Sequence, residues 1–132
     1  MSKILIIDDE VQIRGLLARM MELEGYEVCQ AGDCKTALRQ LELQMPDVAL
    51  CDVFLPDGNG VDLVTEMKKK SPGVEIILLT AHGNIPDGVQ AIKNGAFDYI
   101  TKGDDKMIVC IPGVAVTFLR DFVPINILVV KW

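Results

Sequence analysis

The sequence has few of the residues from which cysteine and histidine sites are built. Its 132 residues include four cysteines and one histidine. The cysteines are Cys29, Cys34, Cys51 and Cys110. They show neither a CxxC pattern nor a Cys/His metal-ligand spacing, which argues against a zinc site and indicates a reduced, cytoplasmic protein.

An excess of positive charge and long apolar runs are also lacking. Lysine and arginine number 13 against 19 acidic residues, and the net charge of -6 argues against a surface that grips nucleic acid phosphates. The apolar run after Lys3 is too short for a signal-peptide core. The apolar C-terminal stretch is interrupted at Pro112, Arg120, Asp121 and Pro124. No stretch therefore reaches the roughly 18 to 20 apolar residues that a membrane span requires.

Apolar strands alternate with amphipathic helices along most of the chain, whose length suits one domain. Strands are predicted at residues 3–7, 26–31, 48–53, 74–80 and 97–101. Helices are predicted over Val11–Leu23, from the cap Asp33 to before Pro46, around residues 63–67 and over Pro86–Asn94. This alternation indicates repeated βαβ units, a parallel sheet and helices on both faces.

Polar side chains follow the predicted strands at their carboxyl ends, where open sheets of this class bind ligands. Asp8 and Asp9 follow the first strand, and Asp52 ends the third. Thr80 ends the fourth strand and Lys102 follows the fifth. Because neighbouring carboxylates repel one another, their crowding at one rim predicts a bound cation.

These segments together resemble the receiver domain of two-component response regulators. The resemblance rests on Asp8-Asp9, CDVFLPDGNG with Asp52, LLTAHG with Thr80, and DYITK with Tyr99 and Lys102, and covers about residues 3–105. The stretch TAHGNIPDGVQAIKNGAFDYITKGDD is further similar to receivers of the nitrogen-regulation type. Such receivers precede sigma-54-dependent ATPase and DNA-binding domains.

The resemblance implies the fold and the division of the chain. It implies an α/β, doubly wound, flavodoxin-like sheet of five parallel strands in the order 2-1-3-4-5, with helices on both faces. Residues 1–105 form the expected receiver core, and residues 106–132 form an atypical apolar C-terminal segment.

The resemblance also implies the chemistry of the site. Asp52 would accept a phosphoryl group from a phosphohistidine of a sensor histidine kinase, with Lys102 and Thr80 as the other catalytic residues. The cofactor implied is Mg²⁺, which prefers oxygen ligands and keeps several waters. The implied metal ligands are Asp8, Asp9, Asp52 and the backbone carbonyl of Phe54. The protein would be no conventional enzyme, with only self-phosphorylation and slow autodephosphorylation.

The resemblance also implies a conformational switch and a pair of residues that control the rate of dephosphorylation. The hydroxyl of Thr80 would move towards the phosphoryl group and Tyr99 would turn inward, which changes the face formed by the fourth helix and fifth strand. Phe54 and His82 stand at the positions that tune dephosphorylation, and such a bulky pair is expected to hinder the attacking water.

Simpler roles and other functions stay open. Asp8-Asp9 alone also fits a solvated strand end or a helix cap, and Asp57 and Gly58 fit turn residues better than ligands. The partners implied are the kinase and an output ATPase or DNA-binding domain in a longer transcription regulator, without direct contact with nucleic acid or membrane. A free-standing receiver that binds a partner protein is the alternative. An aspartyl phosphatase is more distant, since Phe54 stands where a second aspartate is expected.

The sequence departs from the family pattern after Lys102, where Gly103 replaces the usual proline. A fifth amphipathic helix is expected from about Asp105, yet the segment from Lys106 has almost no polar face and is interrupted at Pro112-Gly113. It fits a divergent helix followed by a strand INILVV at a sheet edge, the stub of a longer chain, or a reading-frame error. Because so apolar a segment should be buried, a homodimer or an exchanged C-terminal segment is expected.

Overall fold

The computed structural model describes residues 3–80, 84–101, 106–111, 114–119 and 128–131. The first part of the chain forms β1 (Lys3–Ile7), α1 (Val11–Leu23), β2 (Glu27–Ala31), α2 (Cys34–Gln44), β3 (Val48–Asp52), β4 (Phe54–Leu55), β5 (Gly58–Asn59) and α3 (Gly60–Lys70). It continues with β6 (Glu75–Thr80), α4 (Ile85–Lys93), β7 (Asp98–Thr101), β8 (Lys106–Ile111), β9 (Val114–Leu119) and β10 (Leu128–Lys131).

Five parallel strands form the central sheet in the order β2-β1-β3-β6-β7. This order is the predicted 2-1-3-4-5, with β6 and β7 as the fourth and fifth long strands, and the doubly wound fold is thereby confirmed. All five strands run in one direction, so their carboxyl ends meet at one edge of the sheet.

The unbroken apolar run of β1 reflects burial on both faces of the sheet, because successive side chains of a strand point to opposite sides. Ile4 and Ile6 pack in one core cluster with Met21 of α1. Leu5 and Ile7 belong to the opposite cluster, which also contains the buried side chains of α2, α3 and α4. Each such buried aliphatic side chain contributes about 1.5–3 kcal/mol to stability.

Polar side chains fix the helix starts that frame the sheet edge. Asp33 caps α2 as predicted and accepts a hydrogen bond from the Thr36 backbone N–H at 2.7 Å. Asn59 caps α3, and Asn84 caps α4, which has proline in its first turn. The longest described helix has 13 residues. None of the helices within the described ranges is long and apolar enough to cross a membrane.

The described part of the C-terminal segment consists of strands where the family pattern leads one to expect a helix. β8, β9 and β10 form an antiparallel sheet in the order β10-β9-β8. The described end of the expected INILVV strand, Leu128–Val130, is extended and continues to Lys131, and it pairs with β9, not with the edge of the central sheet. The abundance of β-branched residues explains the preference for strands, because such side chains lose rotamer freedom in a helix.

Candidate functional site

Three carboxylates meet at the carboxyl edge of the central sheet. One carboxylate oxygen from each of Asp8, Asp9 and Asp52 lies within 4.8 Å of the other two. Asp8 is buried, Asp9 is exposed and Asp52 is intermediate. The structure thus brings together the three acidic side chains predicted from the sequence, in a group of oxygen donors suited to a hard divalent cation.

The backbone around Asp8 is held by hydrogen bonds on each side. Its N–H donates to the carbonyl of Ala31 at 3.0 Å, which extends the β1–β2 ladder by one residue. Its Oδ1 accepts from the N–H of Glu10 at 2.9 Å, and its carbonyl accepts from Nη1 of Arg14 at 2.8 Å. Glu10, not the aspartate pair, is the N-cap residue of α1.

Asp52 is the last residue of β3, and the chain around it is tightly packed. The Phe54 N–H donates to Oδ1 of Asp52 at 3.3 Å. The Cys51 thiol donates to the Asp52 carbonyl oxygen at 3.2 Å, and Cys51 is itself fully buried. The Gly60 N–H donates to the Val53 carbonyl at 2.7 Å, which brings the start of α3 against the end of β3.

A short hairpin of β4 and β5 follows Asp52 and is tied to the start of α2. The Asp57 carboxylate accepts from the backbone N–H of Cys34 at 2.7 Å and from that of Lys35 at 3.1 Å. The bond from the Cys34 N–H lowers the pKa of Asp57 below its ordinary value. Asp57 does lie in a turn, as predicted, but its side chain also anchors the hairpin to a helix N-terminus.

Thr80 and Tyr99, the predicted switch pair, lie on neighbouring strands. Thr80 is fully buried at the end of β6 and pairs in register with Thr101 of β7. The half-buried Tyr99 faces Gly88 of α4, and its hydroxyl accepts from the Asn84 N–H at 3.4 Å. Tyr99 also lines an open groove of about 650 Å³ between α4 and β7. That groove is lined by Asn84, Ile85, Gly88, Val89, Ile92, Lys93, Asp98 and Tyr99.

Two predicted site residues, Lys102 and His82, lie outside the described residues. Lys102 follows Thr101 directly in sequence, and Thr101 ends the strand beside β6. Phe54 is described, and its side chain is 55% exposed two residues beyond Asp52.

Sequence reasoning missed the contacts that Arg14 and Asp57 make with the site and its hairpin. Arg14 follows Asp8 by six positions, and Asp57 is separated from Cys34 by 23 positions. Neither spacing belongs to a local pattern, so the sequence offered no signal for these contacts. For Gly60, the Asn-Gly pair before a helical segment was a signal of a turn, but not of the hydrogen bond to the Val53 carbonyl.

A family model described as the response regulator receiver domain matches residues 4–109. Among curated relatives, the chain is 37% identical over 110 residues to the nitrogen assimilation regulatory protein NtrX of Azorhizobium caulinodans. That alignment covers 80% of this chain and 24% of the relative. The chain thus spans about a quarter of that protein's length, and its likeness to regulators of the nitrogen-regulation type is confirmed.

Solved structures give the same likeness. A response regulator of Burkholderia pseudomallei, solved with a phosphorylated aspartic acid, a calcium ion and citrate, is 32% identical with a TM-score of 0.72. That match covers 75% of this chain and 58% of the other. The beryllofluoride-activated NtrC4 receiver domain dimer is 34% identical with a TM-score of 0.70, over 75% of this chain and 82% of the other.

Proposed function

Because the chain belongs to the response regulator receiver domain family, we propose that Asp52 accepts a phosphoryl group from a phosphohistidine of a sensor histidine kinase. A carboxylate oxygen of Asp52 would attack phosphorus, and the bond between phosphorus and the imidazole nitrogen would break. The observation that supports this role is the meeting of Asp8, Asp9 and Asp52 at the carboxyl edge of the sheet.

The proposed metal is Mg²⁺, held by the carboxylates of Asp8, Asp9 and Asp52 and by the backbone carbonyl of Phe54. Oxygen donors of this kind suit a small, hard cation that retains some of its waters. When bound, the metal supplies positive charge that neutralises the phosphoryl oxygens. Asp57 ties the hairpin that contains Phe54 to α2, and the Phe54 N–H donates to Asp52. These contacts support a metal ligand role for the Phe54 carbonyl, because they keep its backbone beside the Asp52 carboxylate.

Lys102 and Thr80 complete the proposed catalytic group. The Lys102 ammonium would neutralise a phosphoryl oxygen and the Thr80 hydroxyl would donate a hydrogen bond to another. Phosphoryl transfer needs mainly positioning and charge stabilisation, so these groups and the metal suffice. Support comes from the strand pairing, in which Thr80 at the end of β6 lies beside Thr101, the residue before Lys102.

The proposed signal leaves the site through Thr80 and Tyr99. A phosphoryl group on Asp52 would draw the Thr80 hydroxyl towards it and leave room for the Tyr99 ring to turn inward. The ring now lies against Gly88 of α4, and Tyr99 lines the open groove between α4 and β7. An inward turn would therefore reshape the groove between α4 and β7, where an output domain or a partner protein could respond.

The lifetime of the phosphorylated form is proposed to depend on Phe54 and His82. The exposed Phe54 ring lies two residues from Asp52, where it can obstruct the water that attacks the phosphoryl group. A slow autodephosphorylation is the expected consequence.

The output is proposed to be transcription regulation by another domain of a longer, cytoplasmic protein, with residues 1–105 as the receiver core. The relative from Azorhizobium caulinodans, of which this chain matches 24%, supports that arrangement.

Residues 106–132 are proposed to mediate a homodimer, since their strands are built from an apolar sequence. Sedimentation of the full chain and of residues 1–105 would test this, and a monomeric full chain would contradict it.

The phosphorylation proposal is tested by intact-mass spectrometry after incubation with acetyl phosphate and Mg²⁺. The parent should gain one phosphate, and chelation of the metal should prevent the gain. Asp52→Asn should remain unmodified, whereas Asp62→Asn, a matched change of an exposed aspartate on α3, should be modified like the parent. A phosphate that persists in Asp52→Asn would place the acceptor elsewhere and overturn the proposal.

A further inference from the structure

Arg14 lies in the first turns of α1 and contacts the backbone of Asp8, one of the three residues whose carboxylates meet at the sheet edge. Its Nη1 donates to the carbonyl oxygen of Asp8 at 2.8 Å. Its Nε donates to Oε1 of Gln30, near the end of β2, at 3.1 Å. The guanidinium is thus held by two acceptors, one in the residue that follows β1 and one near the end of β2.

The carbonyl that Arg14 binds belongs to the peptide unit between Asp8 and Asp9. Because a peptide unit is planar, fixing this carbonyl also fixes the direction in which the chain continues to Asp9. The Asp8 N–H and carboxylate are already bonded to Ala31 and Glu10. The bond from Arg14 holds the Asp8 carbonyl as well, and so constrains the peptide unit that leads to Asp9.

Gly32 provides the space for this arrangement. A Cβ atom at Gly32 would lie 2.9 Å from Nη1 of Arg14 and 4.0 Å from the Asp8 carbonyl oxygen. The crowded atom is the far end of a flexible side chain, so a methyl group at residue 32 would displace the guanidinium without disturbing the sheet. Gly32→Ala is thus a second way to break the Arg14–Asp8 contact, and it does so without replacing Arg14.

We propose that Arg14 is a positioning residue for the metal site, which orients the Asp8–Asp9 peptide so that both carboxylates converge with Asp52. This role rests on the proposed function, since it requires that the three carboxylates hold a divalent cation. Groups that orient metal ligands without touching the metal commonly set its affinity. The planar guanidinium fork suits the role because it reaches two acceptors in a fixed geometry, whereas a lysine ammonium is a single point charge.

The test is calorimetric titration of the full chain with Mg²⁺ alone, applied to Arg14→Lys, Arg14→Met, Gly32→Ala and the double variant Arg14→Met with Gly32→Ala. Arg14→Met should weaken Mg²⁺ binding by about 10-fold, the lower end of the range for such supporting residues. Arg14→Lys should weaken it nearly as much, because charge without the fork does not hold the peptide. Gly32→Ala should also weaken it, but should have no further effect in the double variant. Urea unfolding in the presence of chelator identifies variants that are folded.

The outcomes separate this inference from the proposed function. A parent that binds no Mg²⁺ would overturn the metal site and the role of Arg14 with it. A parent that binds Mg²⁺ while the folded variants bind it equally well would overturn only the role of Arg14. Full affinity in Arg14→Lys would show that charge alone acts. An undiminished effect of Gly32→Ala in the double variant would show that the methyl group acts by another route, and either result overturns the positioning role.

Discussion

A Cβ atom at Gly60 would lie 2.4 Å from the carbonyl oxygen of Asp52, so the start of α3 and the end of β3 touch backbone to backbone. Backbone atoms cannot yield as a side chain does. Residue 60, whose backbone touches that of the proposed phosphoryl acceptor, can therefore carry a side chain only if the backbone shifts.

Gly60→Ala should therefore lower the free energy of unfolding by about 1–3 kcal/mol, the usual cost of forcing atoms into a packed region. Urea denaturation measures this loss. Gly15→Ala is the matched control, since a Cβ there meets nothing within 4 Å in the middle of α1. It should stabilise the protein by about 0.5–1 kcal/mol, because alanine suits a helix interior better than glycine. Equal effects at the two positions would contradict the contact.

Asp57 should make the stability of the protein depend on pH. Its hydrogen bonds to the start of α2 lower its pKa in the folded state. The stabilisation is thus present above the pKa of the unfolded chain and is lost as the pH falls through the lower, folded value. Urea unfolding should show that the free energy of unfolding of the parent exceeds that of Asp57→Asn by more at neutral pH than at strongly acidic pH. If the difference between the two proteins does not shrink on acidification, the Asp57 hydrogen bonds are not the source of the pH dependence.

The Cys34 thiol should react slowly with electrophiles, although it is partly exposed. Burial, followed by its hydrogen bond to the Asp57 carboxylate, raises the pKa of Cys34 to about 12. Few thiolates then form at pH values near 8, and alkylation by iodoacetamide should be slow. Asp57→Ala should accelerate it, as followed by peptide mass spectrometry.

Cys29 is an internal control for that experiment. Its pKa is also raised chiefly by burial, but Asp57 is not among the causes. Its alkylation rate should be the same in the parent and in Asp57→Ala. Acceleration at both cysteines would instead indicate that Asp57→Ala opens the structure as a whole.

Asp9→Asn should raise the stability of the metal-free protein but reduce the stabilisation that Mg²⁺ provides. Without Mg²⁺ the variant should melt at a higher temperature than the parent, since one of three crowded negative charges is removed. For the parent, a metal concentration 100 times the dissociation constant should add about 2.7 kcal/mol of stability. The variant should lose most of this gain in a calorimetric melt. Glu22→Gln, an exposed change on α1, should keep the full gain.

Phe54→Ala should shorten the lifetime of the phosphorylated form. Removal of the exposed ring would open the approach of water to the group on Asp52, so dephosphorylation, followed by intact mass, should become several-fold faster. Leu43→Ala on α2 is a matched loss of an exposed apolar side chain, 70% exposed against 55% for Phe54. Leu43→Ala should leave the dephosphorylation rate unchanged. An equal rate in the parent, Phe54→Ala and Leu43→Ala would show that Phe54 does not control the lifetime of the phosphorylated form.

Much of the fold could be predicted because its signals are local. The apolar run of residues 3–7 becomes β1, buried on both faces, and Asp33 caps α2 as its position before a helical pattern indicates. The convergence of Asp8 and Asp52 was predictable from parallel strands alone, because such strands place their carboxyl ends at the same edge.

The C-terminal segment was only partly predictable. Its lack of a polar face and its interruption at Pro112-Gly113 argued against a helix, and β8, β9 and β10 are strands. Strand pairing, however, is decided between segments far apart in sequence. The pattern of Leu128–Lys131 could not show that its partner is β9 and not the central sheet.

The sequence by itself determined the order of the five central strands and the four helices, and the acidic residues that the sheet edge collects, since periodicity, caps and strand ends are properties of neighbouring residues. Only the tertiary structure decided what holds those acidic residues in place. Arg14 reaches the Asp8 carbonyl across a turn, and Asp57 reaches α2 from a hairpin. Such contacts depend on distances between atoms of separately formed elements, and these distances arise only when the elements pack together.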